Sequence, residues 1–259
     1  LAKNKNLDVK VFNEFESRKV INNVEWLNLK NYNAQIVPEV LIAFSDIGLF
    51  KNFKSQKKFL WSHSVQNFEK FIRKKQLIPY LKHQPTLILE GDYHLKNRSI
   101  FTSFFGKKIL KLAPDYDFID ESVELNKIPK KNCIFSTKSD RNLNILLDAW
   151  KKIHLSINDA KLFINPPFKL TDDLKKQNIV VREKSDKKKL IEDLKNSRIM
   201  LVPGHKGEVF CLAAEEAREL CIPIVTMGFG SLYERVIHNK TGYIAKNINE
   251  FVNYSVNLI

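Results

Sequence analysis

The stretch from Arg198 to Gly230 constrains the fold more tightly than any other part of the chain. An apolar run, Ile199-Met200-Leu201-Val202, stops at Pro203-Gly204; an amphipathic stretch follows as far as Leu220; a second apolar run, Ile222 to Thr226, leads into Gly228-Phe229-Gly230. Short apolar runs punctuated by Gly and Pro read as buried strands, and the stretch between them as a helix. Strand, glycine turn, helix, strand, glycine turn is the order of a parallel α/β sheet, whose ligands bind at the carboxyl ends of the strands. Glu208 and Glu216 stand at the front of the helical stretch with seven residues between them. Carboxylates accept from hydroxyls and the open N–H groups of a helix start attract an anion, so the pair suits a polyhydroxyl ligand carrying phosphates. The competing reading makes Glu215 and Glu216 ordinary solvated residues of a surface helix.

The same alternation runs through the rest of the chain. Apolar runs begin at Val9, Val40, Lys58, Thr86 and Lys108 in the first half, and at Cys133, Lys161, Ile179, Ile199, Ile222 and Gly242 in the second. They predict two βα-repeating domains with parallel sheets, residues 1–127 and 128–259, divided in the polar stretch Glu121 to Asn132 that contains Pro129. A chain of 259 residues with 44% hydrophobic content is enough for two such cores. The formal charge of +14 invites a nucleic-acid reading. Lys greatly outnumbers Arg, however, and base or bidentate phosphate recognition favours Arg. Lys187-Lys188-Lys189 has no interleaved aromatic for base stacking, so nucleic acid is not an expected partner. The excess charge instead suits sugar nucleotides, acidic polysaccharide or peripheral contact with an anionic membrane. Cys133, Cys211 and Cys221 form no C-x-x-C pair and read as small core residues of a reducing compartment. No apolar run approaches the roughly 18 residues of a membrane span and no signal peptide is visible, which predicts a cytoplasmic, at most membrane-peripheral, protein.

The string from Pro203 to Glu234 resembles the signature of retaining glycosyltransferases of the GT-B fold, the family-4 group also described as glycosyl transferase group 1. It stands here as Pro203-Gly204, Glu208-Val209-Phe210-Cys211, Glu216-Ala217, Ile222-Pro223-Ile224-Val225, Gly228, Gly230 and Glu234, closed by Thr241-Gly242-Tyr243-Ile244. The resemblance implies that Glu216 accepts from ribose hydroxyls, and that Glu208 and the N–H groups of Phe210 and Cys211 face the donor sugar. It also implies that Gly228, Gly230 and Ser231 shape the loop near the phosphates. Glu234 is either a ligand contact or a helix-start residue. The segment Ser136 to Leu143 is similar to the family's basic diphosphate-holding loop, with Arg141 on its Lys, Ser136 in place of its Arg, and Lys138 two residues along as a substitute. Cys211 replaces the family's second Gly. The loop Arg182 to Asp186 corresponds to the one that touches the nucleobase.

In the first half His63 follows the run Lys58-Phe59-Leu60-Trp61, similar to the family's histidine that meets the donor sugar from across the cleft. Asp92, His94 and Lys96 are weaker acceptor-side candidates, and Leu112 to Asp117 looks like the family's turn at the end of the first domain. The chain opens at Leu1 and stops at Ile259, where the family has a first βα unit and a last helix that are apparently missing. Together these features imply a metal-independent retaining glycosyltransferase without a cofactor, with Glu208 and His63 as catalytic candidates. Its partners would be a nucleotide-sugar donor and a glycan, lipid-linked or small-molecule acceptor. Two alternatives stay open: a non-catalytic sugar-nucleotide-binding or partner subunit, and a nucleotide-sugar epimerase on the same architecture.

Overall fold

The computed structural model describes residues 7–14, 17–21, 23–31, 37–65, 67–102, 109–111, 128–184 and 186–259. In the first half β1 (Lys10–Asn13), β2 (Lys19–Ile21) and β3 (Val24–Asn28) form a three-stranded sheet of order β1-β3-β2, and β4 (Val40–Phe44), β5 (Lys57–Trp61), β6 (Thr86–Leu89) and β7 (Ile109–Lys111) form a parallel sheet in sequence order. Helices α1 (Phe68–Arg73) and α2 (Leu77–His83) lie between β5 and β6 in the chain, and α3 (Asp92–Lys96) follows β6. Ala43, Leu60, Leu87 and Leu89 from the sheet pack with Ile47, Phe50, Phe71 and Tyr80. Tyr80 is fully enclosed, and burial pushes its hydroxyl up to about 12.

One expectation fails here. The run beginning at Val9 was expected to join the parallel sheet of the first domain, but β1 pairs in parallel with β3 in a separate mixed sheet. The cause is local: β2 and β3 form an antiparallel hairpin, with Ile21 opposite Val24 and Asn23 at φ 61° taking a left-handed turn position that Asn tolerates. The hairpin offers β1 an edge close at hand in sequence. The boundary at Lys127 and the turn expected over Leu112 to Asp117 lie outside the described residues.

The second half is one six-stranded parallel sheet of order β10-β9-β8-β11-β12-β13, from β8 (Asn132–Phe135), β9 (Lys161–Ile164), β10 (Ile179–Val181), β11 (Ile199–Leu201), β12 (Ile224–Thr226) and β13 (Gly242–Ile244). The helices are α4 (Leu143–Ser156), α5 (Asp172–Lys175), α6 (Lys187–Lys195), α7 (Leu212–Glu219), α8 (Leu232–Arg235) and α9 (Ile248–Leu258). Alternation along β8 divides the core: Cys133 and Phe135 join Leu146, Trp150 and Ile153 of α4 and Phe251 of α9, while Ile134 joins Leu194 of α6 and Ala213, Ala214 and Ala217 of α7. The sheet is therefore covered on both faces, as the continuous apolar strands require. From β8 the chain steps outward to β9 and β10, then returns to β11 on the other side of β8. That reversal opens a crevice at the carboxyl ends of β8 and β11, the place where open α/β sheets bind ligands.

Cys133 and Cys211 are buried but Cys221 is exposed, which corrects the expectation that all three are core residues. Cys221 sits at φ 55° just past the end of α7, where the chain turns toward β12 rather than into the core.

Candidate functional site

Three loops meet at the reversal: residues 136–142 after β8, 202–211 after β11 and 227–231 after β12. Gly204 bridges to Phe229 and the Asn142 side chain donates to the Gly204 carbonyl at 2.6 Å, so the loops brace one another. Arg141 lies at their centre. Its Nε is 3.3 Å from Glu208 Oε2 and its Nη1 is 3.1 Å from His205 Nδ1. The same Nδ1 accepts from the Gly207 N–H at 2.9 Å. Glu208 is held through its backbone as well, its N–H donating to the His205 carbonyl and its carbonyl accepting from Ser231 at 2.9 Å each.

Gly230 makes this crossing possible. It has φ +71°, and a Cβ there would stand 2.3 Å from the His205 carbonyl oxygen and 2.7 Å from that of Glu208. Only glycine combines that conformation with so close an approach. Cys211 adopts φ 65° at the start of α7, where the family has glycine, and its side chain is buried. Burial first, then the charges of Glu208 and Glu216, push its thiol up to about 12 against the opposing pull of Arg141. The thiol is therefore neutral at ordinary pH and fills space rather than attacking. Arg141 and Glu208, paired at 3.3 Å, and Glu216 of α7 all act on this thiol at the start of the helix.

Glu215 and Glu216 are both buried, which removes the reading of two solvated residues. Glu215 accepts from Arg235 Nη1 at 3.0 Å and also pairs with Arg218. Arg235 in turn stacks over the Phe210 ring at 4.2 Å, so Phe210 is fixed as a wall of the site. Lys138 is exposed on the turn closed by the Arg141 N–H onto its carbonyl, so its side chain can reach a ligand from the rim. Three hydroxyl oxygens, Ser136 Oγ, Thr137 Oγ1 and Ser231 Oγ, are buried without a hydrogen-bond partner among the described residues. Buried hydroxyls are ordinarily satisfied, and an anion with several acceptor oxygens is the group that would satisfy these.

Arg182, in the loop expected at the nucleobase, is buried and spent on structure, its Nε and Nη2 donating to Asp193 Oδ2 at 2.8 and 2.6 Å. Among the described residues no three His, Cys, Asp or Glu side chains converge as ligands for a metal ion, and no helix is long and apolar enough to cross a membrane.

His63 stands apart from these loops in the chain, at the carboxyl end of β5. Its Nδ1 is 2.6 Å from Oε1 of Glu90, a carboxylate only 4% exposed at the end of β6. His94 does not offer itself to an acceptor, contrary to expectation. It is fully buried, its Nδ1 accepts from the Glu90 N–H at 3.3 Å, and its Nε2 lies 3.0 Å from the Ser64 carbonyl. Asp92 and Lys96 are exposed on α3. Between His94 and Asp92 runs a connection no sequence pattern announced: the Tyr93 N–H donates to the Glu234 carboxylate and its hydroxyl donates to the Lys206 carbonyl at 2.6 Å. Glu234 is thus engaged by α3 from the other half of the chain. Sequence reasoning also passed over Glu90, Arg235 and His205. A carboxylate directly after an apolar strand was the available signal for Glu90; the other two had none.

The model for glycosyl transferases group 1 matches residues 121–253, half of the chain. The chain belongs to the glycosyl transferase group 1 family. No curated protein sequence matches it. Among solved structures it is similar to TarM of S. aureus, in a mutant complex with UDP, at 16% identity and a TM-score of 0.65 over 85% of this chain and 48% of that one. It is similar to sucrose-phosphate synthase of Thermosynechococcus elongatus at 12% identity and a TM-score of 0.66, covering 95% and 78% of the two chains. WaaG, a glycosyltransferase involved in lipopolysaccharide biosynthesis, gives 12% identity and a TM-score of 0.66 over 97% and 82%. The chain thus spans about half the length of TarM. These likenesses establish the GT-B glycosyltransferase fold.

Proposed function

We propose that this chain binds a nucleotide sugar at the carboxyl edge of the six-stranded sheet and transfers the sugar to an acceptor hydroxyl with retention of configuration, without a metal. The observation that carries the reading is the Arg141–Glu208 pair before α7, the helix that buries Glu216, together with buried hydroxyls of Ser136 and Ser231 that lack partners among the described residues. Glu216 would accept from the ribose hydroxyls, and Glu208 and the backbone of Phe210 and Cys211 would face the sugar. Arg141 and Lys138 would meet the negative charge that grows on the departing diphosphate. UDP, held by the TarM complex, is the first nucleotide to try. Residues 1–127 would supply the acceptor side and residues 128–259 the donor side. The acceptor would be a glycan, a lipid-linked sugar or a small molecule, and the +14 charge would favour a cytoplasmic protein resting on an anionic membrane.

The test is release of free nucleoside diphosphate from UDP-glucose, UDP-N-acetylglucosamine and GDP-mannose, with and without glycan acceptors. Release in Lys138→Ala and Arg141→Ala should fall about tenfold or more; equal release would remove both from the reaction. One observation favours a second reading. Arg141 is already paired with Glu208 and His205, and Ser136 stands where the family has a second basic residue, so the site could hold a nucleotide sugar without turning it over. Tight binding with no release from any donor would decide for that partner-subunit reading. Product isomerised without an acceptor would decide for an epimerase.

A further inference from the structure

His63 sits in a frame that leaves one of its nitrogens without a partner among the described residues and fixes the rest of the ring. Phe44, at the end of β4, and Trp61, at the end of β5, lie nearly parallel to it, with centroids 5.5 and 5.7 Å away and interplanar angles of 4° and 20°. These contacts set the ring plane but do not decide which nitrogen points where, because a flipped imidazole stacks equally well. The decision falls to Glu90. Its carboxylate Oε1 is 2.6 Å from Nδ1, and a carboxylate oxygen accepts, so the contact is made with Nδ1–H as the donor. Glu90 is itself immobilised: its side chain is 4% exposed, and its backbone N–H donates to buried His94. With Nδ1 committed, Nε2 is the polar atom that the half-exposed His63 side chain retains for a ligand.

The pair also lies beside the donor-side loops. Glu90 precedes Gly91, where a Cβ would stand 2.6 Å from Glu234 Oε2, and Glu234 accepts from the Tyr93 N–H. Glu234 belongs to α8, which begins directly after Gly230 and Ser231 of the candidate phosphate loop.

We infer that Glu90 is a positioning residue for His63: it fixes the Nδ1–H tautomer and turns Nε2, as an acceptor, toward the cleft where a sugar hydroxyl can donate to it. The inference rests on the proposed sugar-transfer function, and the experiment separates the two. In the full chain at pH 8, nitrogen-15 correlation spectra of the histidine side chains, assigned with His63→Gln, should show His63 wholly as the Nδ1–H tautomer. Glu90→Gln, whose amide both donates and accepts, should give a mixture with Nε2–H, and should lower release of nucleoside diphosphate from the best of the three donors about 10- to 100-fold with little change in KM. An Nε2–H tautomer in the wild-type chain would overturn the inference even if the Glu90 variant fails to fold, as would a tautomer that Glu90→Gln leaves unchanged. A tautomer that shifts while donor release stays constant would uphold the hold of Glu90 on the ring and refute the role of His63 in transfer.

Discussion

At Gly230 two carbonyl oxygens, those of His205 and Glu208, come so close to the Cα that no side chain fits, and the backbone is left-handed as well. Gly230→Ala should therefore destabilise the fold by about 2 kcal/mol or more through strain and displaced carbonyls, read as a lower midpoint in urea unfolding; an unchanged midpoint would mean the loop crossing is not rigid. His94 makes a different prediction. Burial first, with the charges of Lys70 and His63, holds its pKa below 6.5, against the opposing Ser64 hydrogen bond and Glu90 charge. Its stability contribution is complete above the unfolded value of 6.5 and declines as pH falls from there toward the folded value, because the unfolded chain then takes a proton that the folded chain refuses. His83 is lowered too and adds a slope of the same sign. Subtracting the unfolding curves of His94→Gln from those of wild type between pH 8 and pH 5 isolates His94: the difference should be flat above 6.5 and change below it. A flat difference throughout would mean that His94 takes up its proton as readily in the fold as in the unfolded chain, contrary to the lowering by burial.

Between elements, α3 is fastened to the opposite half of the chain by two hydrogen bonds from one residue, Tyr93, to Glu234 and Lys206. Gly91→Ala would drive a Cβ against the Glu234 carboxylate, the movable end of a flexible side chain, and so break the clasp rather than the fold. Amide hydrogen exchange of the peptide spanning residues 90–96 should quicken about tenfold in this variant, the worth of one lost hydrogen bond; unaltered protection would show that the clasp holds α3 through other contacts. Such a contact joins residues 141 positions apart and leaves no pattern in the sequence. The elements around it divide in the same way. The β11, α7 and β12 run was legible because Pro203, Gly204, Gly228 and Gly230 punctuate apolar segments of the right length. The β2 and β3 hairpin was not, because Val24-Glu25-Trp26-Leu27-Asn28 reads as a mixed surface stretch until Asn23 turns it back on Lys19-Val20-Ile21. Glu208 and Glu216 were singled out by the resemblance of the whole string from Pro203 to Glu234, because their spacing alone does not separate them from solvated helix residues. The pairing of Arg141 with Glu208, and of His63 with Glu90, depends on which strands are neighbours in space, and periodicity does not carry that information.

For the whole molecule, the sheet order β10-β9-β8-β11-β12-β13 is what brings the loops carrying Arg141, Glu208 and Ser231 to one edge. The four-stranded sheet presents His63 and Glu90 at its own carboxyl edge, and the Tyr93 clasp ties that edge to Lys206 and Glu234 of the second half. The net charge of +14 adds a general attraction for anionic ligands, which salt screens; the directed contacts of Arg141 and the loop hydroxyls are less exposed and lose less to it. Nucleotide affinity should accordingly fall with added salt but persist. The most direct test is calorimetric titration of UDP and GDP into the wild-type chain and Glu216→Ala. A site built as proposed binds at least one of them, and loses roughly 10- to 100-fold in affinity when the Glu216 carboxylate is removed. Equal affinity in the two proteins, or binding of neither nucleotide by the wild-type chain, would contradict a nucleotide-sugar site at the front of α7.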